Sequence, residues 1–434
     1  MDVTIHPSSL GGSIPAMSSK SMAHRLLILA ALAHDPCSVA FGTASEDITA
    51  TSSCLETLGL GTLSSSQDAF QTGSSTGDPE GRDREMVELD CGESGSTLRF
   101  LLPVVGALNR SATFVRRGRL ANRPLSPFVE QLTQHGMCIE EDGALLKTQG
   151  KLHGGSFVLP GNVSSQYVSG LLLAAPIIGE SVEIFVSTPV ESRPYIELTM
   201  AALEQFGVVV ACDKVGYGAH TSERFALTPE PLNAAPQYVV EGDWSNAAFW
   251  LAAGALEHEG IAVHGLNLAS VQGDRAILAA LASLGARIAR RGDAARATRD
   301  NPRAATFDVS SIPDLVPPLA AVAATQPGTS RLRNAGRLRL KESDRLATVT
   351  AVVNALGGKA SVAGDDLVIT GVPQLCGGVV DAANDHRVAM MAAIMATHAS
   401  DRVTVRGAQC VAKSYPTFWE DYERLGGSIE RSGF

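Results

Sequence analysis

No CxxC pair occurs in this chain, and its seven cysteines, at 37, 54, 91, 138, 212, 376 and 410, stand far apart. An odd, unclustered set argues against a disulfide framework and against zinc-ligand spacing, and points to reduced thiols in a cytoplasmic protein. No apolar run reaches the ~20 residues that a membrane span requires. The opening "MDVTIHPSSLGGSIPAM" lacks the basic segment leading into an apolar core that marks a secretion signal. Positive charge is also short: 35 Lys and Arg against 45 Asp and Glu leave a formal net charge of −10. A nucleic acid or an anionic membrane wants the opposite balance in its partner. Any local cluster of Lys and Arg therefore stands against an acidic background.

What the chain does have is repetition. At 434 residues it exceeds what one core usually serves, so two domains of about 200 residues are expected. A helix-like segment ending in Leu/Phe-Gly and followed by a strand-like run recurs as "CLETLGLGT", "VEQLTQHGMCIE", "LEQFGVVV", "LASLGARIA", "VVNALGGKAS" and "YERLGGSIE". The glycines, Gly59, Gly136, Gly207, Gly285, Gly357 and Gly426, sit where a helix C-terminus needs a left-handed residue. A second series interleaves: "SSKSMAHRLLILAAL", "ESGSTLRFLLPVVGAL", "SSQYVSGLLLAAPII", "DWSNAAFWLAAGAL", "IPDLVPPLAAVAAT" and "NDHRVAMMAAIMATH". Strands are expected after it near Ser38, Ser111, Ser181, Ile261, Thr329 and Arg402. Both series share a period of about 72 residues, so one unit of two helices and several short strands is used six times.

Second-series helices are apolar nearly all round and should be buried; first-series helices are amphipathic and should lie outside. Buried helices surrounded by sheets invert the usual α/β barrel. The expected fold is therefore α/β, with six units dividing three and three into two domains at the loop 228–237. Two polar inserts, 61–85 and 289–305, read as solvated loops.

Polar and charged residues of the second series gather at the N-terminal ends of its helices. They include Lys20, Ser21 and Arg25; Ser94, Ser96 and Arg99; Ser164, Ser165 and Gln166; Asp243, Ser245 and Asn246; Asp314; and Asn384, Asp385, His386 and Arg387. Ser, Asp and Asn there are ordinary N-caps. Lys20, Arg25, Arg99 and Arg387 work against the helix dipole. An anion removes the conflict, because helix N-termini bind phosphate and carboxylate and an added cation strengthens the grip. If the helices of each domain run parallel, their positive ends converge on one cleft. "ANRPLSP" places Arg123, and "ESRPY" places Ser192 and Tyr195, in loops after strands. "RLRLKESDRL" packs Arg337, Arg339, Lys341, Glu342, Asp344 and Arg345 together, although mixed charge on one turn also describes a plain solvated helix. "CVAKSYPTF" places Lys413 among small residues, and His386 reads equally as a hydrogen-bonded core histidine.

In chain order, "SKS", "GESGSTLR", "NRP", "SSQ", "SRPY", "IPD", "LKESDRL", "NDHR" and "AKSYP" resemble the motifs of the 5-enolpyruvylshikimate-3-phosphate synthase family of enolpyruvyl transferases, through the whole length. The resemblance implies a two-domain inside-out α/β barrel with buried parallel helices. One domain would span 19–237 and mainly hold shikimate 3-phosphate. The other, 1–18 with 238–434, would contribute to phosphoenolpyruvate binding and supply acid and base. It also implies transfer of the enolpyruvyl group of phosphoenolpyruvate to the 5-hydroxyl of shikimate 3-phosphate.

By that resemblance, shikimate 3-phosphate is held by Lys20, Ser21, Arg25, Ser164, Ser165, Gln166, Ser192, Tyr195, Asp314 and Lys341. Phosphoenolpyruvate is held by Lys20, Gly95, Arg99, Arg123, Gln166, Arg345, His386, Arg387 and Lys413. Asp314 is the base for the hydroxyl, Glu342 the acid toward the methylene carbon, and Lys20 shares the proton transfer. No metal or organic cofactor is implied, and the expected partners are small anions bound to a monomer. Each substrate carries a phosphate of about −1.5 to −2 and one carboxylate. An open cleft that closes on neutralisation is expected. Glu93 and Ser96 stand where Asn and Thr are frequent, and Arg337 stands where Asn often contacts substrate.

The nearest rival is the family acting on a UDP-linked aminosugar. It usually carries a reactive cysteine in the loop corresponding to about 114–123, which here reads "FVRRGRLANR". A non-catalytic six-repeat ring around DNA would need basic residues along helix flanks rather than at helix starts.

Overall fold

The computed structural model describes residues 1–64, 66, 68–73, 86–216 and 221–433. Twelve α-helices lie among them, and they alternate in character. The odd-numbered set is α1 (Lys20–Leu32), α3 (Gly95–Ala107), α5 (Ser165–Ile178), α7 (Trp244–Leu256), α9 (Val316–Ala323) and α11 (His386–Ala396). The even-numbered set is α2 (Glu46–Thr57), α4 (Phe128–Gln134), α6 (Arg193–Gln205), α8 (Ile277–Ser283), α10 (Arg345–Ala355) and α12 (Phe418–Arg424). Every residue of α7, α9 and α11 is buried, as expected of helices with no polar face. Even-numbered helices bury one stripe; α2, for example, buries Ile48, Thr51, Ser52, Cys54 and Leu55.

Each even-numbered helix ends in the same way. One residue caps it, and the next is Gly59, Gly136, Gly207, Gly285, Gly357 or Gly426, all with φ between 75° and 104°. The left-handed conformation turns the chain out of the helix at little steric cost only for glycine.

Among the described residues the strands form six four-stranded sheets of mixed direction. In the sheet of Val87–Asp90, Ala112–Val115, Leu145–Gln149 and Cys138–Asp142, the first pair is parallel and the others are antiparallel. A parallel pair needs a crossover, which α3 supplies between Val87–Asp90 and Ala112–Val115. Strands following the odd-numbered helices begin at Ser38, Ala112, Val182, Ile261, Thr329 and Val403.

The chain divides into two compact units, Ser18–Val240 and Met1–Met17 together with Glu241–Phe434. Sheet pairing accounts for the crossing. Gly12–Pro15, just before α1, pairs with Ile261–His264 beyond α7. Gln237–Val239, just before α7, pairs with Ser38–Ala40 beyond α1. Asp2–His6 is an inner strand between Val403–Arg406 and Ser428–Ser432.

Two expectations are corrected. The segment 289–305 is not a loop throughout: Ala286–Arg291 and Ala294–Arg299 form an antiparallel hairpin at a sheet edge. Arginines on an edge strand discourage pairing with other chains, and their polarity imitates a loop in sequence. Within 61–85, Thr62–Leu63 and Ala69–Gln71 are paired strands; residues 65, 67 and 74–85 lie outside the described residues. No helix among the described residues is long and apolar enough to cross a membrane.

Candidate active site

In the Ser18–Val240 unit, the candidate residues sit in the first turns of α1, α3, α5 and α6, except Arg123, which follows the 3-10 turn Gly118–Asn122. Ser19, Ser94 and Ser164 cap the first three helices through their hydroxyls, so the following residues begin the helix. This places Lys20 and Ser21, Gly95 and Ser96, and Ser165 and Gln166 on the first turns. Ser192 occupies the N-cap position of α6 at φ 55°, and Tyr195 lies in its first turn. The "ESRPY" stretch is thus a helix start rather than a loop, with Pro194 in the first turn where a missing N–H costs nothing.

Arg25 is buried, and its contacts define it. Nε donates to Thr199 Oγ1 at 2.8 Å and Nη2 to the Tyr195 carbonyl at 2.8 Å. Nη1 donates to the Ser21 carbonyl, Nη2 reaches Ser169 Oγ at 3.4 Å, and the guanidinium lies 4.9 Å from the centre of the Phe100 ring. No carboxylate among the described residues pairs with it. Burial lowers its pKa from the ordinary arginine value. A buried cation held only by neutral acceptors is a costly arrangement that an arriving anion relieves.

A second group gathers about Gly95. Arg99 Nη2 donates to the Pro124 carbonyl at 3.1 Å, and its guanidinium lies 5.9 Å from the Tyr167 ring centre. A Cβ at Gly95 would come within 2.6 Å of Arg123 Nη1 and 2.7 Å of Arg99 Nη1. Two guanidinium groups therefore meet over one bare Cα, and the buried Nε of Arg123 has no hydrogen-bond partner among the described residues. Gln166 Nε2 donates to Ser96 Oγ at 3.0 Å, tying the starts of α5 and α3 together. Gly170 permits that approach, since a Cβ there would stand 2.2 Å from the Arg99 carbonyl. Lys20 Nζ donates to Asp47 Oδ2 at 2.6 Å. Asp47 was not among the sequence candidates; on α2, 27 positions away, its acidic first turn reads as simple dipole compensation.

In the other unit the cations meet carboxylates. Arg345, the first residue of α10, is buried; its Nε and Nη2 grip both oxygens of Asp385 at 2.9 and 3.1 Å. Its Nη1 donates to Asp314 Oδ1 at 2.9 Å and Nη2 to Glu342 Oε2 at 2.6 Å. Burial works against the guanidinium's charge, but Asp385, Glu342 and Asp314 outweigh it and hold the pKa above the usual value. Asp314 lies in the 3-10 turn Pro313–Leu315, with Arg387 at 3.4 Å and Lys341 at 3.5 Å besides Arg345. Desolvation lowers the Lys341 pKa and Asp314 partly restores it.

Asp385, noted in sequence only as one of the polar residues at a helix start, both caps α11 and anchors Arg345. His386 and Arg387 open α11; Arg387 Nη2 donates to Ser245 Oγ at 2.9 Å, and Ser245 Oγ donates to Asp243 at 2.7 Å. Lys413, buried at the end of the 3-10 turn Ala408–Lys413, donates to the Asn384 carbonyl at 2.7 Å. Arg337 lies in the 3-10 turn Gly336–Leu340. Among the described residues no three His, Cys, Asp or Glu side chains are grouped to hold a metal ion. What this arrangement can do chemically is hold anions and pass protons between carboxyl groups and neighbouring cations.

A family model described as EPSP synthase (3-phosphoshikimate 1-carboxyvinyltransferase) matches residues 5–422. The 3-phosphoshikimate 1-carboxyvinyltransferase of Clostridium beijerinckii is 37% identical over 437 residues, covering 99% of this chain and 98% of the relative. Among solved structures, EPSP synthase from Acinetobacter baumannii matches with a TM-score of 0.77 at 22% identity, covering 100% of both chains. The enolpyruvyl transferase NikO from Streptomyces tendae matches with a TM-score of 0.73 at 19% identity, covering 99% of this chain and 98% of that one. At these identities the two structural likenesses establish the fold alone.

Proposed function

This chain belongs to the EPSP synthase family, and from that premise we propose that it transfers the enolpyruvyl group of phosphoenolpyruvate to the 5-hydroxyl of shikimate 3-phosphate, releasing phosphate. Shikimate 3-phosphate is the ligand of Lys20, Ser21, Arg25, Ser164, Ser165, Gln166, Ser192, Tyr195, Asp314 and Lys341. Phosphoenolpyruvate is the ligand of Lys20, Gly95, Arg99, Arg123, Gln166, Arg345, His386, Arg387 and Lys413. The segment 19–237 is mainly the acceptor-binding domain, and 1–18 with 238–434 supplies acid and base. The architecture is read as a pair of inside-out α/β barrels built from a unit of about 72 residues, and the enzyme as a cytoplasmic monomer.

The observation that carries the reading is Arg25, a buried cation whose partners are hydroxyls, carbonyls and a ring face. Such a group suits a ligand phosphate, because a charge-assisted bond forms where only neutral acceptors competed. In the reaction, the 5-hydroxyl oxygen bonds to C2 of phosphoenolpyruvate while Asp314 takes its proton and Glu342 delivers a proton to the methylene carbon. Removal of a proton from the resulting methyl group then restores the double bond and expels phosphate. Asp314 beside three cations is disposed to remain a carboxylate base. Glu342 shares Arg345 with Asp314 and Asp385, so the guanidinium is not its alone. The scheme moves three protons and is redox-neutral overall, so it calls on no redox group.

The test is phosphate release from phosphoenolpyruvate with shikimate 3-phosphate or with UDP-N-acetylglucosamine as acceptor. Release with the first only is expected. Release with the second only assigns the chain to the aminosugar reaction, and release with neither overturns the reading.

A further inference from the structure

Behind the first turns of α1 and α3 runs a chain of buried hydroxyls that no substrate contact requires. His24 Nδ1 lies 2.7 Å from Thr51 Oγ1, Thr51 Oγ1 lies 2.6 Å from Thr97 Oγ1, and Thr97 Oγ1 donates to Ser94 Oγ at 2.8 Å. His24, Thr51 and Thr97 are fully buried and Ser94 nearly so. Ser94 Oγ also accepts the Thr97 backbone N–H at 3.2 Å, which is the N-cap bond of α3.

Counting protons fixes the direction. Each hydroxyl has one proton to give. That of Thr97 goes to Ser94, so the proton between the threonines belongs to Thr51. Thr51 then has none for His24, and the proton at 2.7 Å must sit on the imidazole Nδ1. Nε2 is left as a bare lone pair without a hydrogen-bond partner among the described residues, beside the Phe100 ring 6.3 Å away. The chain therefore runs His24 to Thr51 to Thr97 to Ser94, from α1 through α2 to the cap of α3.

We infer that Thr51 is a positioning residue, joined by His24 and Thr97, that holds the start of α3, and with it Gly95, Ser96 and Arg99, at a fixed height beside α1. Two features make the role one-sided. Lys20 and His24 on α1 meet Asp47 and Thr51 on α2 at matching four-residue spacings, so α1 and α2 are already bound by an ion pair. Arg25 is anchored separately, by Thr199, Ser169 and Tyr195. The α3 helix is tied to α2 through the Thr51 hydroxyl. Loss of that hydroxyl thus disturbs Gly95 and Arg99, assigned to phosphoenolpyruvate alone, and spares Arg25, Ser192 and Tyr195, assigned to shikimate 3-phosphate alone. The kinetic half of this inference rests on the proposed function; the proton order does not.

Thr51→Val keeps shape and burial and removes the hydroxyl, while Thr51→Ser keeps it. The KM for phosphoenolpyruvate in Thr51→Val is expected to rise about tenfold, the worth of one buried hydrogen bond, with the KM for shikimate 3-phosphate within about twofold. Thr51→Ser should restore the donor KM. Both KM values rising together, or Thr51→Ser failing to rescue, overturns the positioning role. Nitrogen NMR of the wild-type imidazoles, with the His24 signal assigned by its loss in His24→Asn, reads the tautomer without any turnover. An Nδ1–H imidazole supports the chain, and an Nε2–H or doubly protonated ring overturns it. If wild-type protein releases no phosphate the proposed function falls, and the NMR result still decides the chain.

Discussion

Arg25 and Arg345 are both arginines buried near a helix start, one in each unit, and they are held in opposite ways. Arg25 touches hydroxyls, carbonyls and a ring face. Arg345 touches three carboxylates, one of them bidentately. Arg25 thus has its charge balanced by no carboxylate among the described residues, while Arg345 shares its charge among Asp314, Glu342 and Asp385. The reaction proposed above needs anions received and carboxyl groups set for proton traffic, and the surroundings of Arg25 suit the first as those of Arg345 suit the second.

The sharpest way to break the comparison is to remove the carboxyl groups. Asp314→Ala or Glu342→Gln is expected to lower kcat by about 10²–10⁴, far more than it weakens the binding of either substrate. Steady-state phosphate release measures both; near-wild-type turnover in either variant ends that residue's assignment. Next comes the stability of the ligand-free protein. Arg345→Met strands the buried Asp385 and should cost about 3–5 kcal/mol in denaturant unfolding. Arg25→Met should change stability by less than about 1 kcal/mol, because no buried charge loses its partner. The Tyr195 carbonyl, moreover, still accepts from Thr199 Oγ1. Equal losses in the two variants would erase the distinction.

Gly95→Ala probes the anion-receiving side more gently. Its methyl would meet the Arg99 and Arg123 guanidinium groups at 2.7 and 2.6 Å, so both must give way. A donor KM raised about tenfold with an unaltered acceptor KM is expected; an unchanged donor KM would mean that neither arginine meets phosphoenolpyruvate at this place.

Some of this was legible in sequence for local reasons. Gly59 and its five counterparts are demanded by helix ends, and Ser19, Ser94, Ser164, Asp243 and Asp385 are N-caps that a short window reveals. What escaped was non-local or disguised. Nothing near Lys20 announces Asp47, and nothing near Arg345 announces that Asp385 will close on it, since such pairs exist only once separate helices pack. The hairpin of Ala286–Arg291 and Ala294–Arg299 hid behind its own arginines, because an edge strand exposes the polar positions that a loop would. The stretch "ESRPY" reads as a loop after a strand, yet its Pro194 is at home in the first turn of α6.

The smallest effect concerns His24, which lies on the anion-receiving side and must stay uncharged there. Burial lowers its pKa well below the ordinary histidine value, and Lys20 and Arg25 push the same way. The native state therefore declines a proton that the unfolded chain accepts below about pH 6.5. Stability from this group is complete above that pH and drains away as pH falls toward the folded pKa. At pH 6.0 the loss should be about 0.8 kcal/mol relative to pH 8. Other groups titrate over the same range, so the readout is a difference: unfolding of wild type and His24→Asn at both pH values, in which asparagine can still donate toward Thr51 but cannot titrate. The wild type should lose about 0.8 kcal/mol more than the variant between pH 8 and 6. Equal losses would mean that His24 is charged in the folded protein, and a third cation beside Lys20 and Arg25 would then have to be explained.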